Sequence, residues 1–220
     1  TPQISTRLTL NDIAGRWQMR WGLGRERYSI APGLYAIGSP NADSNVLVTA
    51  NYKMTFDILR RDMQGHDLWL LVLDTRGINV WCAAGKGTFG SEELIRRIRS
   101  TRLDQLVSHR QLILPQLGAP GVSAHAVKKQ SGFQVVYGPV RADDLPAFLD
   151  AGMKATERMR RVEFLGKYCL WLGSGCLHQK SELFEILCSH LLRLMLIDDP
   201  HEYCPFGIGS MIPIIAHAKI

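Results

Sequence analysis

The stretch Gly77-Ile78-Asn79-Val80-Trp81-Cys82-Ala83-Ala84-Gly85-Lys86-Gly87 holds the side chain best suited to chemistry, the thiol of Cys82. Several uses of such a segment fail on spacing. A phosphate-binding loop needs glycine five positions before its Gly-Lys pair, and Val80 stands there. Lys86 is followed by Gly87, with Thr88 one place too late. A thiol protease needs a partnered histidine, and His66, His109 and His125 sit in no recognisable signature. A thioredoxin-type pair would need a second cysteine two residues away. Two readings stay open on residue types alone: a lone metal-ligating thiolate beside the small residues Ala83, Ala84 and Gly85, or a buried structural cysteine in a tight turn.

Asn79 suits a helix N-cap, Val80–Ala84 can form one or two helical turns, and Gly85 is a natural terminator. The element that must position this segment is Leu68–Leu73, six consecutive apolar residues of the kind a central strand buries on both faces. Further strands are expected at Gly33–Ile37, Val46–Thr49, Gln111–Leu114 and Phe133–Val136. Helices are expected at Tyr52–Arg61 and near Glu92–Arg99, Leu103–Val107, Ala119–Lys128 and Asp143–Asp150. Alternation of this kind predicts an α/β fold, a mainly parallel Rossmann-like sheet flanked by helices. Ligands of such sheets sit beyond the C-terminal strand ends, which singles out the loops after Val48 and Leu73, with those after Leu114 and Val136 as further candidates. Residues 1–30 read as a helical lead-in, with Asn11-Asp12 capping a run through Ile13, Trp17 and Trp21 and Gly22 and Gly24 ending it. Residues 31–165 form the α/β domain, and residues 166–220 a mostly helical tail in which Lys180–Ile197 is the clearest helix. No apolar run is long enough to span a bilayer.

The chain has 220 residues and a formal charge of +6, unevenly placed: residues 1–165 carry 22 basic against 15 acidic side chains. Arg96, Arg97, Arg99 and Arg102 form one cluster, and Arg158, Arg160 and Arg161 another. Such surfaces meet nucleic acid, an anionic membrane face or an acidic protein, or are simply solvated helix faces. Nothing in the spacing resembles a nucleic-acid motif, so no nucleic-acid partner is expected. The N-terminus has no secretory signal, and five cysteines without a Cys-x-x-Cys pair suit a reduced, cytoplasmic setting, with the inner membrane face as a further place. A self-contained iron–sulfur cluster is not expected, and Cys169, Cys176, Cys188 and Cys204 fit no metal motif.

Asn-Val-Trp-Cys-Ala-Ala-Gly-Lys, residues 79–86, resembles the signature of the corrinoid protein of microbial mercury methylation, a family similar to the corrinoid domain of the corrinoid iron–sulfur protein large subunit in the acetyl-CoA pathway. Flanking text is similar too: Pro32-Gly33-Leu34-Tyr35-Ala36, Val46 to Lys53, Leu73 to Gly90, and less sharply Leu114 to Gly121 and Tyr137 to Arg141. The resemblance covers about residues 5–165 and stops where the family's membrane-spanning helices would begin. It implies a base-off cobalamin whose cobalt takes Cys82 as axial ligand beneath a short cap helix. Asn79 would shape the helix start, and Val80, Trp81, Ala83, Ala84 and Gly85 would pack near the corrin. Thr49 matches a corrin-contacting position; Asn51 is added as its neighbour, and Gly121 and Gly138 are either pocket walls or simple turn glycines.

In family terms the activity is transfer of methyl from methyl–Co(III) to Hg(II), forming methylmercury. The thiolate pushes charge onto cobalt and favours departure of methyl with its electron pair. Regeneration implies a ferredoxin-like [4Fe–4S] reductant protein, docked by the basic clusters, and a methyl-tetrahydrofolate-linked donor. The alternatives are a corrinoid methyl carrier of the acetyl-CoA-pathway type, a non-catalytic corrinoid-binding module, or an α/β domain without cofactor.

Overall fold

The structure, a computed structural model, describes residues 1–20 and 28–162. The tail after residue 162, with its expected helices and four of the five cysteines, lies outside these residues, as do Trp21, Gly22 and Gly24.

A six-stranded sheet runs β1(Gln3–Ile4), β2(Gly33–Ile37), β4(Leu68–Leu73), β3(Val46–Ala50), β5(Gln111–Leu114), β6(Gln134–Tyr137) from edge to edge. The pairs β3–β4, β3–β5 and β5–β6 are parallel, and β2 is antiparallel to β4. Chain length explains the exception. Only residues 38–45 join β2 to β3, too few for the crossover helix a parallel connection needs. The loop instead passes the start of β4, where the Trp69 indole N–H donates to the Asn41 carbonyl at 2.9 Å and the Trp69 amide to Asn45 at 2.9 Å. The fold class is therefore as expected, and β1 is an edge strand the sequence pattern does not announce.

Because successive strand residues face opposite sides, β3, β4 and β5 feed two cores. Val48, Ala50, Leu71, Leu73, Leu112 and Leu114 face one side. There they meet α3(Val80–Gly85), α4(Ser91–Thr101), α5(Leu103–Leu106) and α6(Ala124–Ser131). Leu47, Leu70, Val72 and Ile113 face the other, under α2(Lys53–Asp62) and α7(Leu145–Asp150). Leu70, Leu71, Val72 and Leu73 are all 0% exposed, which accounts for the uninterrupted apolar run.

The lead-in helix α1(Leu10–Arg20) is built differently from its sequence reading. Thr9, not Asn11-Asp12, caps it: the Asp12 amide donates to the Thr9 hydroxyl, and the Asp12 carboxylate accepts from the Thr9 amide at 2.9 Å, a reciprocal capping box. Asp12 also receives Lys53 at 2.6 Å and Arg60 at 2.7 Å, so charge ties α1 to α2. Leu10 and Ile13 stay exposed.

Candidate functional site

The loops after β3 and β4 leave the sheet on opposite sides, one to α2 and the other to α3 and α4. Adjacent strands whose connections diverge open a crevice at their C-terminal ends, where open α/β sheets bind ligands. Thr49, Asn51, Thr75 and α3 stand at or just beyond the C-terminal ends of these two strands.

Asn51, 5% exposed, links the end of β3 to the loop after β4. Its Oδ1 accepts from the Thr75 amide at 3.1 Å, the Thr75 hydroxyl at 2.8 Å and the Gly77 amide at 2.9 Å. The Thr75 hydroxyl also lies 2.6 Å from the Ile78 carbonyl, so its one proton is shared between two acceptors. These bonds hold a tight loop in which Arg76 and Gly77 both have positive φ, 58° and 70°. For Arg76 that conformation is strained and persists because the surroundings fix it, including a bond from its amide to the Asp74 carboxylate at 3.1 Å. From the α4 side, the Glu93 carboxylate accepts from the Asp74 amide at 2.9 Å and pairs with Arg97 and Arg96. Burial pushes this carboxyl up, but the Asp74 N–H and the two guanidinium groups outweigh it and hold it below its ordinary value.

Asn79 caps α3 as expected: at φ −63° and ψ 162° its Oδ1 accepts from the Cys82 amide at 2.9 Å. Val80, Ala83 and Ala84 are buried against the sheet, whereas Trp81 and Cys82 are half-buried on the outer side. Small inward residues thus seat the helix, and the thiol stands on the side turned away from the core. Gly85 ends the helix, but Lys86 after it is still right-handed, and the left-handed reversal occurs at Gly87 with φ +77°. The Ala83 carbonyl accepts from both Thr88 at 2.9 Å and Phe89 at 3.1 Å across this reversal.

The expected walls at Gly121 and Gly138 have defined places. A Cβ on Gly121 would stand 2.1 Å from the Phe89 carbonyl oxygen and 3.1 Å from the Ala84 Cα. Gly121 therefore lets the β5–α6 loop close against the end of α3. Gly118 does the same against the Phe89 ring, at 2.6 Å. The Tyr137 hydroxyl donates to the Val122 carbonyl at 2.7 Å and fixes that loop to β6. Gly138 is buried, and its amide donates to the Leu114 carbonyl at 2.8 Å. Thr49, 2% exposed, lies on the sheet side facing α2, opposite α3, and no hydrogen bond ties up its hydroxyl among the described residues. Thr75, Phe89 and Gly118 were not singled out by sequence, and Gly77 only as the first residue of the stretch around Cys82. Only Thr75 and Gly77 carried a signal, their place directly after the central strand.

The sulfur of Cys82 is held in a disulfide. Coordination by this sulfur would first require reduction. In its reduced form the sulfur would be a soft donor of the kind a transition metal takes, carried on a capped turn, and the Thr49 hydroxyl at the end of β3 makes no hydrogen bond among the described residues. Two open grooves lie elsewhere, one between α4 and α6 and one at Gln3–Arg7 and Gly65–Asp67. No group of three or more metal-ligating side chains occurs among the described residues, and no helix there is long and apolar enough to cross a membrane.

The sequence profile of the CO dehydrogenase/acetyl-CoA synthase delta subunit family matches residues 24–149, which include every site residue above. A subunit gamma of the acetyl-CoA decarbonylase/synthase complex from Methanopyrus kandleri is 35% identical over 128 residues, 57% of this chain and 27% of that protein. Its counterpart from Archaeoglobus fulgidus is 30% identical over 128 residues, with the same coverage. The corrinoid/iron-sulfur protein large subunit of Moorella thermoacetica is 30% identical over 122 residues, 54% of this chain and 27% of that protein. The chain thus spans about a quarter of the length of these relatives.

Proposed function

The chain belongs to the CO dehydrogenase/acetyl-CoA synthase delta subunit family, and from that membership we propose that it is a corrinoid-binding methyl carrier in which reduced Cys82 ligates the cobalt. The observation that carries the proposal is the Asn79-capped turn that sets Cys82 on the outer side of α3, just beyond the C-terminal end of β4. A bound corrinoid supplies a cobalt centre that accepts and releases a methyl group. Cys82, as thiolate, donates charge to the metal it holds. Asn79 keeps the helix start in register, and the Thr49 hydroxyl is available to an amide at the corrin edge. Asn51 acts at one remove, by holding the loop that leads into α3. Base-off binding follows from the same reading, since Cys82 would occupy the position that the cofactor's own base leaves.

Cys82 itself favours a second, finer reading. A thiolate ligand would raise the electron density at the metal it holds and favour release of methyl with its electron pair, which suits an electrophilic acceptor such as Hg(II). The relatives' names support the carrier; the cysteine supports methylation of mercuric ion. Both readings call for a methyl donor, and a methyl-tetrahydrofolate-linked one is proposed; the second, in which methyl leaves with its electron pair, also needs two electrons per turnover, for which a ferredoxin-like [4Fe–4S] reductant protein is proposed.

The test is to reduce the chain with a thiol reagent, reconstitute it with cobalamin and record the absorption spectrum. A retained base-off spectrum with cobalt–sulfur ligation, lost in Cys82→Ala, is expected. Failure to retain corrinoid after reduction would overturn the assignment. Methylmercury formed from Hg(II) and the methylated cofactor, dependent on Cys82, would select the second reading.

A further inference from the structure

Helices α4 and α6 lie side by side and parallel: the Ser123 amide donates to the Ser91 hydroxyl at 2.8 Å at one end, and Arg99 to the Gln130 carbonyl at 3.2 Å at the other. Both pack on the sheet face that carries α3, with Leu94, Ile95 and Val127 in the same core as Ala83 and Ala84. Between them runs an open groove of about 490 Å³, lined by Glu92, Ile95, Arg96, Arg99, Ser100 and Gln130.

The charge of this layer is one-sided. The sequence cluster of arginines does not act as a unit, because Arg97 turns inward, its side chain 15% exposed and bonded to Glu93. Glu93 in turn is 11% exposed and occupied by the Asp74 amide, Arg96 and Arg97, so it contributes little negative charge to the surface. Arg96, 66% exposed, Arg99 and Arg102 remain outward on α4 and its end. From α6, thirty residues further along the chain, come the exposed Lys128 and Lys129. Against these five stand only Glu92 and Asp104 as exposed acids between Ser91 and Gly132. That interval contains no Phe, Trp or Tyr. Single-stranded nucleic acid is gripped through aromatic stacking as well as charge, and apolar side chains strengthen attachment to a lipid surface. The layer offers neither along its groove, and its one exposed large apolar side chain, Leu106, is on α5. Folded protein surfaces with clustered carboxylates complement such a layer through charge alone.

We propose that the α4–α6 face is the docking surface for an acidic protein, brought by long-range attraction to the side of the sheet on which Cys82 stands. In the class of partner chosen, the reductant, the inference rests on the proposed function; the surface itself belongs to the polypeptide and requires no cofactor, so its failure in the cofactor-free chain is distinguishable from failure of corrinoid binding.

Binding of the cofactor-free, full chain to an acidic 2[4Fe–4S] ferredoxin is measured by calorimetry at 20 mM and 300 mM salt. The variant R99E/K128E/K129E is compared with wild type and with K154E/R158E, which reverses exposed charges beside the opposite core. The expected result is at least tenfold weaker binding by the first variant at low salt, less than twofold change in the second, and at least tenfold loss for wild type at high salt. Melting temperatures within a few degrees of wild type exclude unfolding as the cause. Equal losses in both variants, no measurable binding at 20 mM salt, or tighter binding to a 20-nucleotide oligomer or to phosphatidylglycerol vesicles than to ferredoxin would overturn the proposal.

Discussion

Two asparagines hold the site together, by different means. Asn79 satisfies one donor of a six-residue helix that has few other sources of stability. Loss of such a cap costs about 1 kcal/mol, so Asn79→Ala should lower the urea midpoint modestly and Asn79→Ser should restore most of it. Asn51 carries more, because three donors converge on one buried oxygen. Asn51→Ala strands the Thr75 and Gly77 amides, and each buried unpaired donor costs about 1–3 kcal/mol. Chemical denaturation should therefore show a loss of about 2–4 kcal/mol, larger than for Asn79→Ala. Asn51→Asp, which keeps the acceptor, should recover more than half at neutral pH; equal loss in both variants would mean the amide acts through packing instead. Asn79 was legible because a cap signal is local. The importance of Asn51 was legible only as proximity: its partners, Thr75 and Gly77, are some 25 residues away in sequence and meet it only when β3 and β4 pair.

At the scale of elements, α3 is clamped between the sheet and the β5–α6 loop, and glycines set the clearance. Gly121→Ala forces a methyl group to 2.1 Å from the Phe89 carbonyl oxygen, a backbone atom that cannot rotate away. Overpacking of this kind costs about 1–3 kcal/mol, and calorimetric melting should show it. Gly85→Ala meets nothing within 4 Å and should be neutral or slightly stabilising, since alanine favours a helix over glycine. The strands of the sheet were legible to within a residue or two because burial writes period-two or unbroken apolar patterns. The antiparallel course of β2 was legible in principle from the eight-residue link before β3, but periodicity alone does not carry direction. Phe133, expected in the last strand, is instead a fully buried residue before it, and β6 begins at Gln134. The contact of Gly118 and Gly121 with Phe89 left no trace in local pattern, because a turn glycine and a close-approach glycine look alike in sequence.

The whole molecule depends on charge where its lead-in meets its body. α1 buries Gly15 and Met19 yet leaves Leu10 84% and Ile13 42% exposed, so apolar burial alone does not hold it. Asp12 does: it links Lys53 and Arg60, which also pair with the fully buried Asp57, while Arg60 donates to the Ser5 and Arg7 carbonyls at 2.6 and 3.0 Å. Burial pushes the Asp12 carboxyl up, but Lys53, the Thr9 amide and hydroxyl, and Arg60 together hold it well below the usual carboxylate range. The folded chain thus binds this proton less readily than the unfolded one. The stabilisation is complete above the unfolded carboxyl pKa of about 4 and is lost as pH falls toward the depressed folded value. Asp12→Asn removes the charge and keeps the shape, leaving Lys53 and Arg60 short of a counter-ion. For a pair this enclosed, a loss of about 2–4 kcal/mol is expected at pH 7. Below pH 4 the gap between the two proteins should narrow, since protonation removes from the wild type what the variant already lacks. Urea midpoints taken from pH 7 down to pH 2 give the answer: curves that stay parallel throughout would show that Asp12 contributes through packing, and that the lead-in is held by something other than its charge.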